Sequence, residues 1–194
     1  GPFSLSSITG GLAAGSQTVI IRDANNCTLT ANFNINNTGS PTSNISASVN
    51  VSCFGGSNGS FNVNTTGGTP GYSYTLSPIG TTNTTGAFTG LTAQAYNVTV
   101  KDAVGCITTV TITISQPTQL TLTLTPVAVS CNGGTNGQIS AAGGGGTPFY
   151  QYSLNGGPFS GSGSFTGLTA GTYTVTIRDN NNCLFTQTAI VTQP

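Results

Sequence analysis

The sequence predicts an all-β protein made of tandem, small immunoglobulin-like β-sandwich repeats of about 77 residues each. Three observations lead to this fold class. Apolar residues alternate with polar ones, no segment has helical periodicity, and the sequence repeats itself at an interval of 77 or 78 residues. Repetition of one short unit is the signature of a tandem array of similar modules.

The alternation occurs in several segments and predicts strands. Apolar residues are spaced by two at 96–100, 110–114, 120–124 and 173–177. Strict alternation is typical of a strand that buries one face and exposes the other. Many of the intervening residues are Thr, whose β-branched side chain suits a strand.

The last repeat divides into about seven short strands, the number expected of a small sandwich. They are predicted at 120–125 (continuing at 127–130 after Pro126), 138–142, 150–154, a short stretch around Phe159, 164–168, 172–178 and 184–192. The segment 168–173 has the pattern of a tyrosine corner, in which the hydroxyl of Tyr173 bonds back across a turn.

The repeats set the predicted domain boundaries near residues 42 and 118. The segment 68–76 recurs at 146–154, a shift of 78, and the segment 88–93 recurs at 165–170, a shift of 77. The segments 1–4 and 22–27 recur at 157–160 and 178–183, a shift of 156. We therefore expect the second half of a repeat at 1–42 and complete repeats at 43–118 and 119–194, within a longer protein.

The composition excludes several classes of function. Only 3% of the residues are charged, with three Lys plus Arg, three Asp plus Glu and no His. Most general acid–base chemistry and any His-based triad or metal site therefore lack their residues, so no enzymatic activity and no cofactor are expected. Three cations cannot neutralise a phosphate backbone, so nucleic acid is not expected as a partner. No apolar run is long enough to predict a membrane span.

Taken in order, the repeated motifs resemble the SprB repeat. They are Cys-x-Gly-Gly-x-Asn-Gly, Gly-Gly-Thr-Pro-x-Tyr-x-Tyr, Leu-x-Ala-Gly-x-Tyr-x-Val-x-x-x-Asp-x-x-x-Cys and Gln-Pro. The resemblance implies a tandem unit of large flavobacterial, gliding-adhesin-like surface proteins of the Bacteroidota, exported by type IX secretion. It implies an extracellular, bacterial cell-surface location. The first unit departs from the pattern at Gln17, which replaces a Tyr.

All six charges lie in three dipeptides that occupy one position of the repeat: Arg22-Asp23, Lys101-Asp102 and Arg178-Asp179. The carboxylates of Asp23, Asp102 and Asp179 suit the start of a turn, where they accept backbone N–H bonds. Calcium binding is the alternative, but one Asp in each unit supplies little charge for that ion. We expect capping of turns and regard the three Asp residues as weak calcium candidates.

The five cysteines follow the repeat, and a surface protein permits disulfides. One pairing stays within units, Cys53–Cys106 and Cys131–Cys183. However, the first and sixth hairpin loops of a seven-strand sandwich lie at opposite ends, and a disulfide needs Cα atoms within about 7 Å. The favoured pairing is therefore Cys53–Cys183 between neighbouring units. Cys27 is expected to be unpaired in this chain, with the partners of Cys106 and Cys131 outside it or the thiols reduced.

These features predict a non-enzymatic segment of a long extracellular adhesin fibre, involved in surface attachment and possibly in gliding motility. Its expected partners are neighbouring repeats and, beyond the chain, surface polysaccharide or other cells. The alternative is a carbohydrate-binding accessory module of a secreted protein. That module needs exposed aromatic side chains, and the only cluster is Tyr72, Tyr74, Tyr150 and Tyr152, whose alternation favours a core position.

Overall fold

The computed structural model describes residues 12–37 and 39–194, and every regular element within these ranges is a β-strand. The match of residues 1–4 to 157–160 lies outside the described residues. The fifteen strands are β1 Gly15–Arg22, β2 Thr28–Ile35, β3 Thr42–Val49, β4 Gly59–Thr66, β5 Ser73–Ser77, β6 Thr81–Asn83, β7 Ala87–Leu91, β8 Gln94–Lys101, β9 Ile107–Ile114, β10 Thr121–Val127, β11 Gly137–Gly144, β12 Gln151–Leu154, β13 Ser164–Leu168, β14 Gly171–Arg178 and β15 Leu184–Val191.

The strands of each complete repeat form two antiparallel sheets with immunoglobulin-like order. In the middle repeat the sheets are β3-β4-β7 and β6-β5-β8-β9. In the last repeat they are β10-β11-β13 and β12-β14-β15. Apart from β6, which adds to the edge of the second sheet in the middle repeat only, equivalent strands form the same two sheets in both repeats, as in immunoglobulin-like sandwiches. The predicted fold class is confirmed.

Each complete repeat has its own core between its two sheets. The first core extends from Val51 to Ile114 and contains the fully buried Val98 and Val100. The second extends from Leu120 to Val191 and contains Val175 and Ile177 at the equivalent positions. The remaining hairpin, β1–β2, forms a two-stranded sheet by itself. The alternating apolar residues of the sequence are therefore the inward-facing residues of the strands.

The strand predictions for the last repeat differ from the structure at two places. The first strand continues past Pro126 as predicted but ends at Val127, so the predicted stretch to residue 130 does not form. The short strand predicted around Phe159 is reduced to one bridge between Tyr152 and Ser160. The middle repeat forms a true strand, β6, in the corresponding stretch, so it has seven strands and the last repeat has six.

The predicted tyrosine corner is present and occurs twice. The hydroxyl of Tyr173 donates to the carbonyl oxygen of Thr169 at 3.0 Å. In the middle repeat the hydroxyl of Tyr96 donates to the carbonyl oxygen of Thr92 at the same distance. Each bond ties the start of its strand, β14 or β8, to the turn before it.

The Gly that ends the Cys-x-Gly-Gly-x-Asn-Gly motif is required by packing. A Cβ atom on Gly137 would lie 2.6 Å from Cγ1 of Val191 and 2.8 Å from the carbonyl oxygen of Leu168. We expect Gly137→Ala to lower the free energy of unfolding of the last sandwich by about 1 to 3 kcal/mol, measured by urea denaturation. Gly161→Ala is the matched control, since a Cβ there meets nothing within 4 Å. Equal effects of the two variants would contradict this account.

Candidate functional site at the junction between repeats

Each complete repeat has an early cysteine, which follows its first strand, and a late cysteine, which precedes its last strand. The structure joins the early cysteine of the middle repeat to the late cysteine of the last repeat. Cys53 follows the first strand of the middle repeat, and Cys183 precedes the last strand of the last repeat. They form a disulfide with an S–S distance of 1.97 Å and a Cα–Cα distance of 5.7 Å. Cys27, Cys106 and Cys131 are free thiols.

The within-repeat alternative, Cys53–Cys106 and Cys131–Cys183, does not form in the structure. The reason lies in the last strand of each sandwich. The loop of Cys53 lies beside the end of β9, where the N–H of Val51 donates to the carbonyl oxygen of Ser115 at 2.9 Å. Cys106 lies just before the start of β9. The eight residues of β9 therefore separate the two cysteines by about 25 Å, far beyond the reach of a disulfide.

Motif residues of the sequence hold the early cysteine loop. The Asn58 side chain accepts from the N–H of Ser52 at 3.0 Å and donates to its hydroxyl at 2.8 Å. The N–H of Gly55 donates to Oε1 of Gln116 at 2.7 Å. The last repeat has the same contacts, between Asn136 and Ser130 and between Gln193 and Gly133. The Asn-Gly and Gln-Pro motifs thus position the cysteine that faces the next repeat.

A buried aspartate holds the late cysteine loop. Asp179 is 3% exposed, and its Oδ1 accepts from the N–H groups of Asn181 and Cys183, both at 2.9 Å. Its Oδ2 accepts from the N–H of Thr147 at 2.8 Å. The carboxylate therefore joins the Gly-Gly-Thr-Pro loop to the turn that carries Cys183, and the expected capping of the turn is present.

The other two aspartates cap their turns in related ways. Oδ1 of Asp102 accepts from Val104 and Cys106, and its Oδ2 accepts from Thr69. Oδ1 of Asp23 accepts from the N–H groups of Asn25 and Cys27 at 2.9 and 2.8 Å. The aspartate at this position of the repeat therefore has the same role in each unit: it shapes the turn that ends in the late cysteine.

The N–H bonds to Asp102 change its acidity. The N–H of Thr69 is the main cause that holds the pKa of Asp102 below its ordinary value, and N–H groups of the 102–106 turn add to it. Burial of the carboxylate acts in the opposite direction but does not outweigh these bonds.

The lowered pKa of Asp102 predicts acid sensitivity of the middle sandwich. The unfolded chain protonates an Asp near pH 3.9, roughly, and the folded chain protonates Asp102 at lower pH. The stabilisation is therefore complete above about pH 4 and is lost as pH falls through the folded pKa. Urea denaturation between pH 2 and 5 measures this loss, and Asp102→Asn should flatten it. An equal acid dependence in wild type and variant would contradict the assignment.

A side-chain bond also crosses the junction beside the disulfide. Nδ2 of Asn181 donates to the carbonyl oxygen of Ser52 at 3.0 Å and contacts Oγ1 of Thr147 at 2.9 Å. Sequence reasoning missed Asn181 and Ser52. Asn25 occupies the equivalent position of the first unit but Val104 that of the middle repeat, so no motif common to all the repeats marks Asn181.

The three aspartates remain weak calcium candidates. In Asp102 and Asp179 both carboxylate oxygens already accept N–H bonds. Within residues 12–37 and 39–194, no group of three or more His, Cys, Asp or Glu side chains could hold a metal ion.

Removal of divalent metal should therefore leave the stability unchanged. We expect thermal melts recorded with excess chelator and with added calcium to coincide. A fall in melting temperature of about 10 °C or more on chelation would show instead that an Asp turn binds calcium, since that shift corresponds to more than 1 kcal/mol.

The tyrosine cluster belongs to the sandwiches. Tyr74 and Tyr152 are 5% and 7% exposed. Tyr72 and Tyr150 are half-buried and donate their hydroxyls to the carbonyl oxygens of Gly67 and Gly145, at 2.6 and 2.7 Å. Rings held in this way do not form the exposed aromatic platform that the carbohydrate-binding alternative requires.

The comparisons with known proteins agree with the repeat. The SprB repeat family model matches residues 45–81 and 123–159, which confirms the resemblance over these two segments. No curated protein matches the sequence. The described residues include no helix long and apolar enough to cross a membrane.

Solved structures of similar shape are distant in sequence. The N-terminal eight Ig domains of Down Syndrome Cell Adhesion Molecule are 10% identical over 93% of this chain and 28% of that one, with a TM-score of 0.42. A C-terminal 282-residue intimin fragment, crystallised with the intimin-binding domain of its translocated receptor, is 17% identical over 80% of this chain and 64% of that one, with a TM-score of 0.41. Domains 4 and 5 of the S-layer protein SbsC are 11% identical over 79% and 98%, with a TM-score of 0.31.

The family match and the fold agree with each other. The SprB repeat model matches one segment in each complete repeat, and both segments fold as parts of immunoglobulin-like sandwiches. Its repeated polar residues shape loops and turns around cysteines, which is the organisation of a structural module.

Proposed function

We propose that this chain is a segment of a long extracellular fibre on a bacterial surface, in which tandem sandwiches are locked end to end by disulfides. The fibre serves surface attachment, and gliding motility and type IX secretion in the Bacteroidota are the expected setting. The observation that carries this proposal is the junction. The Cys53–Cys183 bond, the caps around both loops and the Asn181 bond all lie at one boundary between repeats.

The junction supports a mechanical role. The disulfide adds a covalent connection beside the short Gln116-Pro117 linker, and Pro117 restricts the backbone there. Two connections at different places resist bending and twisting of one sandwich against the other. A repeated junction of this kind makes a stiff rod that can hold a distal binding domain away from the cell.

The low charge of the chain suits an adhesin. With a formal net charge of zero, the surface neither repels nor strongly attracts a charged cell envelope. The repeats therefore space and present contacts, and any contact they make with surface polysaccharide depends on neutral polar groups.

Non-reducing peptide mapping of the oxidised chain tests the locked junction. We expect one cross-linked peptide pair containing Cys53 and Cys183. Recovery of Cys53 with Cys106 and of Cys131 with Cys183 would refute the proposal, and so would recovery of all five cysteines as thiols. Small-angle X-ray scattering adds shape, since Cys53→Ser/Cys183→Ser should broaden the distance distribution while Cys106→Ser should not.

A further inference from the structure

The hairpin β1–β2 exposes an apolar face. Val19, Ile21, Leu29 and Phe33 are 42%, 44%, 66% and 42% exposed. Val19 and Ile21 are two residues apart in β1, so their side chains lie on one face of the hairpin. Directly paired residues share a face, and the register pairs Ile21 with Leu29 and Gln17 with Phe33, so Leu29 and Phe33 lie on that face as well. A contiguous exposed apolar face marks a surface that another segment covers.

The equivalent face of a complete repeat is a core surface. A shift of 156 residues aligns β1–β2 with β14–β15 and places Val19 and Ile21 at the positions of Val175 and Ile177, which are 0% exposed. Val175 and Ile177 pack in one core with residues of the opposite sheet, including Leu122 and Ile139. The first half of the last repeat supplies β10 and β11 of the opposite sheet, which cover this face, and β12, which pairs with the edge of β14.

Asp23 gives a second, independent observation. Its two counterparts accept at Oδ2 from the N–H of a Thr in the first half of their own repeats, Thr69 for Asp102 and Thr147 for Asp179. Asp23 accepts N–H bonds only at Oδ1 from the described residues. The same first half that would cover the apolar face would bring such a Thr N–H to Asp23.

Cys106 gives a third observation. Its counterpart Cys183 bonds to the early cysteine of the preceding repeat. The Cys106 turn has the same carboxylate bond to its N–H, at 2.8 Å, yet the thiol is free. The first half of a repeat that contains β1–β2 would carry the early cysteine that fits this position.

We infer that β1–β2 is the second half of a sandwich whose apolar face binds the first half of a further SprB repeat, a polypeptide segment with the chemistry of residues 119–156. The early cysteine of the same segment forms a disulfide with Cys106. The disulfide between this segment and Cys106 rests on the proposed locked fibre, whereas the covering of the apolar face of β1–β2 does not.

The test fuses a copy of residues 119–156 directly before Gly1 of the full chain. This junction keeps the repeat in register, because residues 1–4 match 157–160. We expect amide exchange at Val19 and Ile21 to slow by about a hundredfold or more, as an exposed two-stranded hairpin becomes part of a core. We also expect non-reducing peptide mapping to link the copy of Cys131 to Cys106.

Two matched controls separate the parts of the inference. Ile139→Asn in the added copy alone should abolish the slower exchange, and Cys131→Ser in the copy should abolish only the cross-link. Slower exchange without the cross-link supports the covered face and overturns the cysteine assignment. Unchanged exchange overturns the covered face. A wild-type dimer that already protects the same amides also overturns it, because the occupant would then be a second copy of the hairpin.

Discussion

Pulled from its two ends, the oxidised chain should extend by about 430 to 470 Å less than the reduced chain when every sandwich is unfolded. The disulfide joins residues that are 130 positions apart in sequence, so the loop between them cannot straighten while the bond is intact. Force enters at Cys53, crosses the bond to Cys183 and bypasses almost all of both complete sandwiches. Single-molecule force spectroscopy with and without reductant measures the difference directly.

Two variants make this measurement decisive. Cys53→Ser/Cys183→Ser should show the full extension without reductant, whereas Cys106→Ser should behave as wild type because its thiol is free. If oxidised wild type and the double variant extend equally, the junction carries no covalent load.

The same geometry predicts how a longer array would bear tension. If every junction were bonded in this way, the covalent path under load would run along the chain from the late cysteine of one repeat to the early cysteine of the next repeat. It would then cross the disulfide to the late cysteine of the repeat after that. Residues 27–53 represent that path in this chain, and they contain β2 and β3. Most of the polypeptide would then lie outside the force path, and each sandwich would bear the pull only through its first or its last strand.

Asp179→Ala should be the most damaging single change in the last sandwich outside its apolar core. The substitution leaves three N–H donors without their acceptor at a buried site, and we expect the free energy of unfolding to fall by about 3 kcal/mol. Because the Cys183 turn loses its cap, the disulfide should also be reduced faster by dithiothreitol. Urea denaturation and thiol trapping measure the two effects.

Asp23→Ala is the matched control for this prediction. Asp23 occupies the same position of the repeat, but it is more exposed and accepts only two N–H bonds from the described residues. Its loss should cost about 1 kcal/mol or less. Equal losses in the two variants would mean that burial of the Asp179 carboxylate does not matter.

The sequence predicted the fold well where the pattern was periodic. Strict alternation identified the core strands β8 and β14, because the inward positions of a strand must be apolar whatever the partner sheet. The stretch around Phe159 was less predictable. The stretch forms a single bridge, and the guanidinium carbon of Arg178 on β14 lies 4.3 Å from the centre of the Phe159 ring, a contact that no local pattern signals.

The candidate site was predicted in part. The cysteine positions and the role of aspartate in the turns follow from local sequence, since a carboxylate two residues before an N–H can cap it. The contact between Asn181 and Ser52 joins residues 129 positions apart, and no local pattern signals it. The aromatic cluster likewise needed the structure, because alternation places Tyr72 and Tyr74 on one face but does not say how deeply each is buried.

An all-β array of similar units follows from the sequence alone, because periodicity and repetition are properties of the chain. The sequence also restricted the chemistry, because a chain without His and almost without charge has few reactive groups. The sequence favoured one cysteine pairing and left another open, and the choice between them is seen in the folded chain. That choice depends on which ends of two sandwiches face each other, a distance of one strand length that no local sequence pattern specifies.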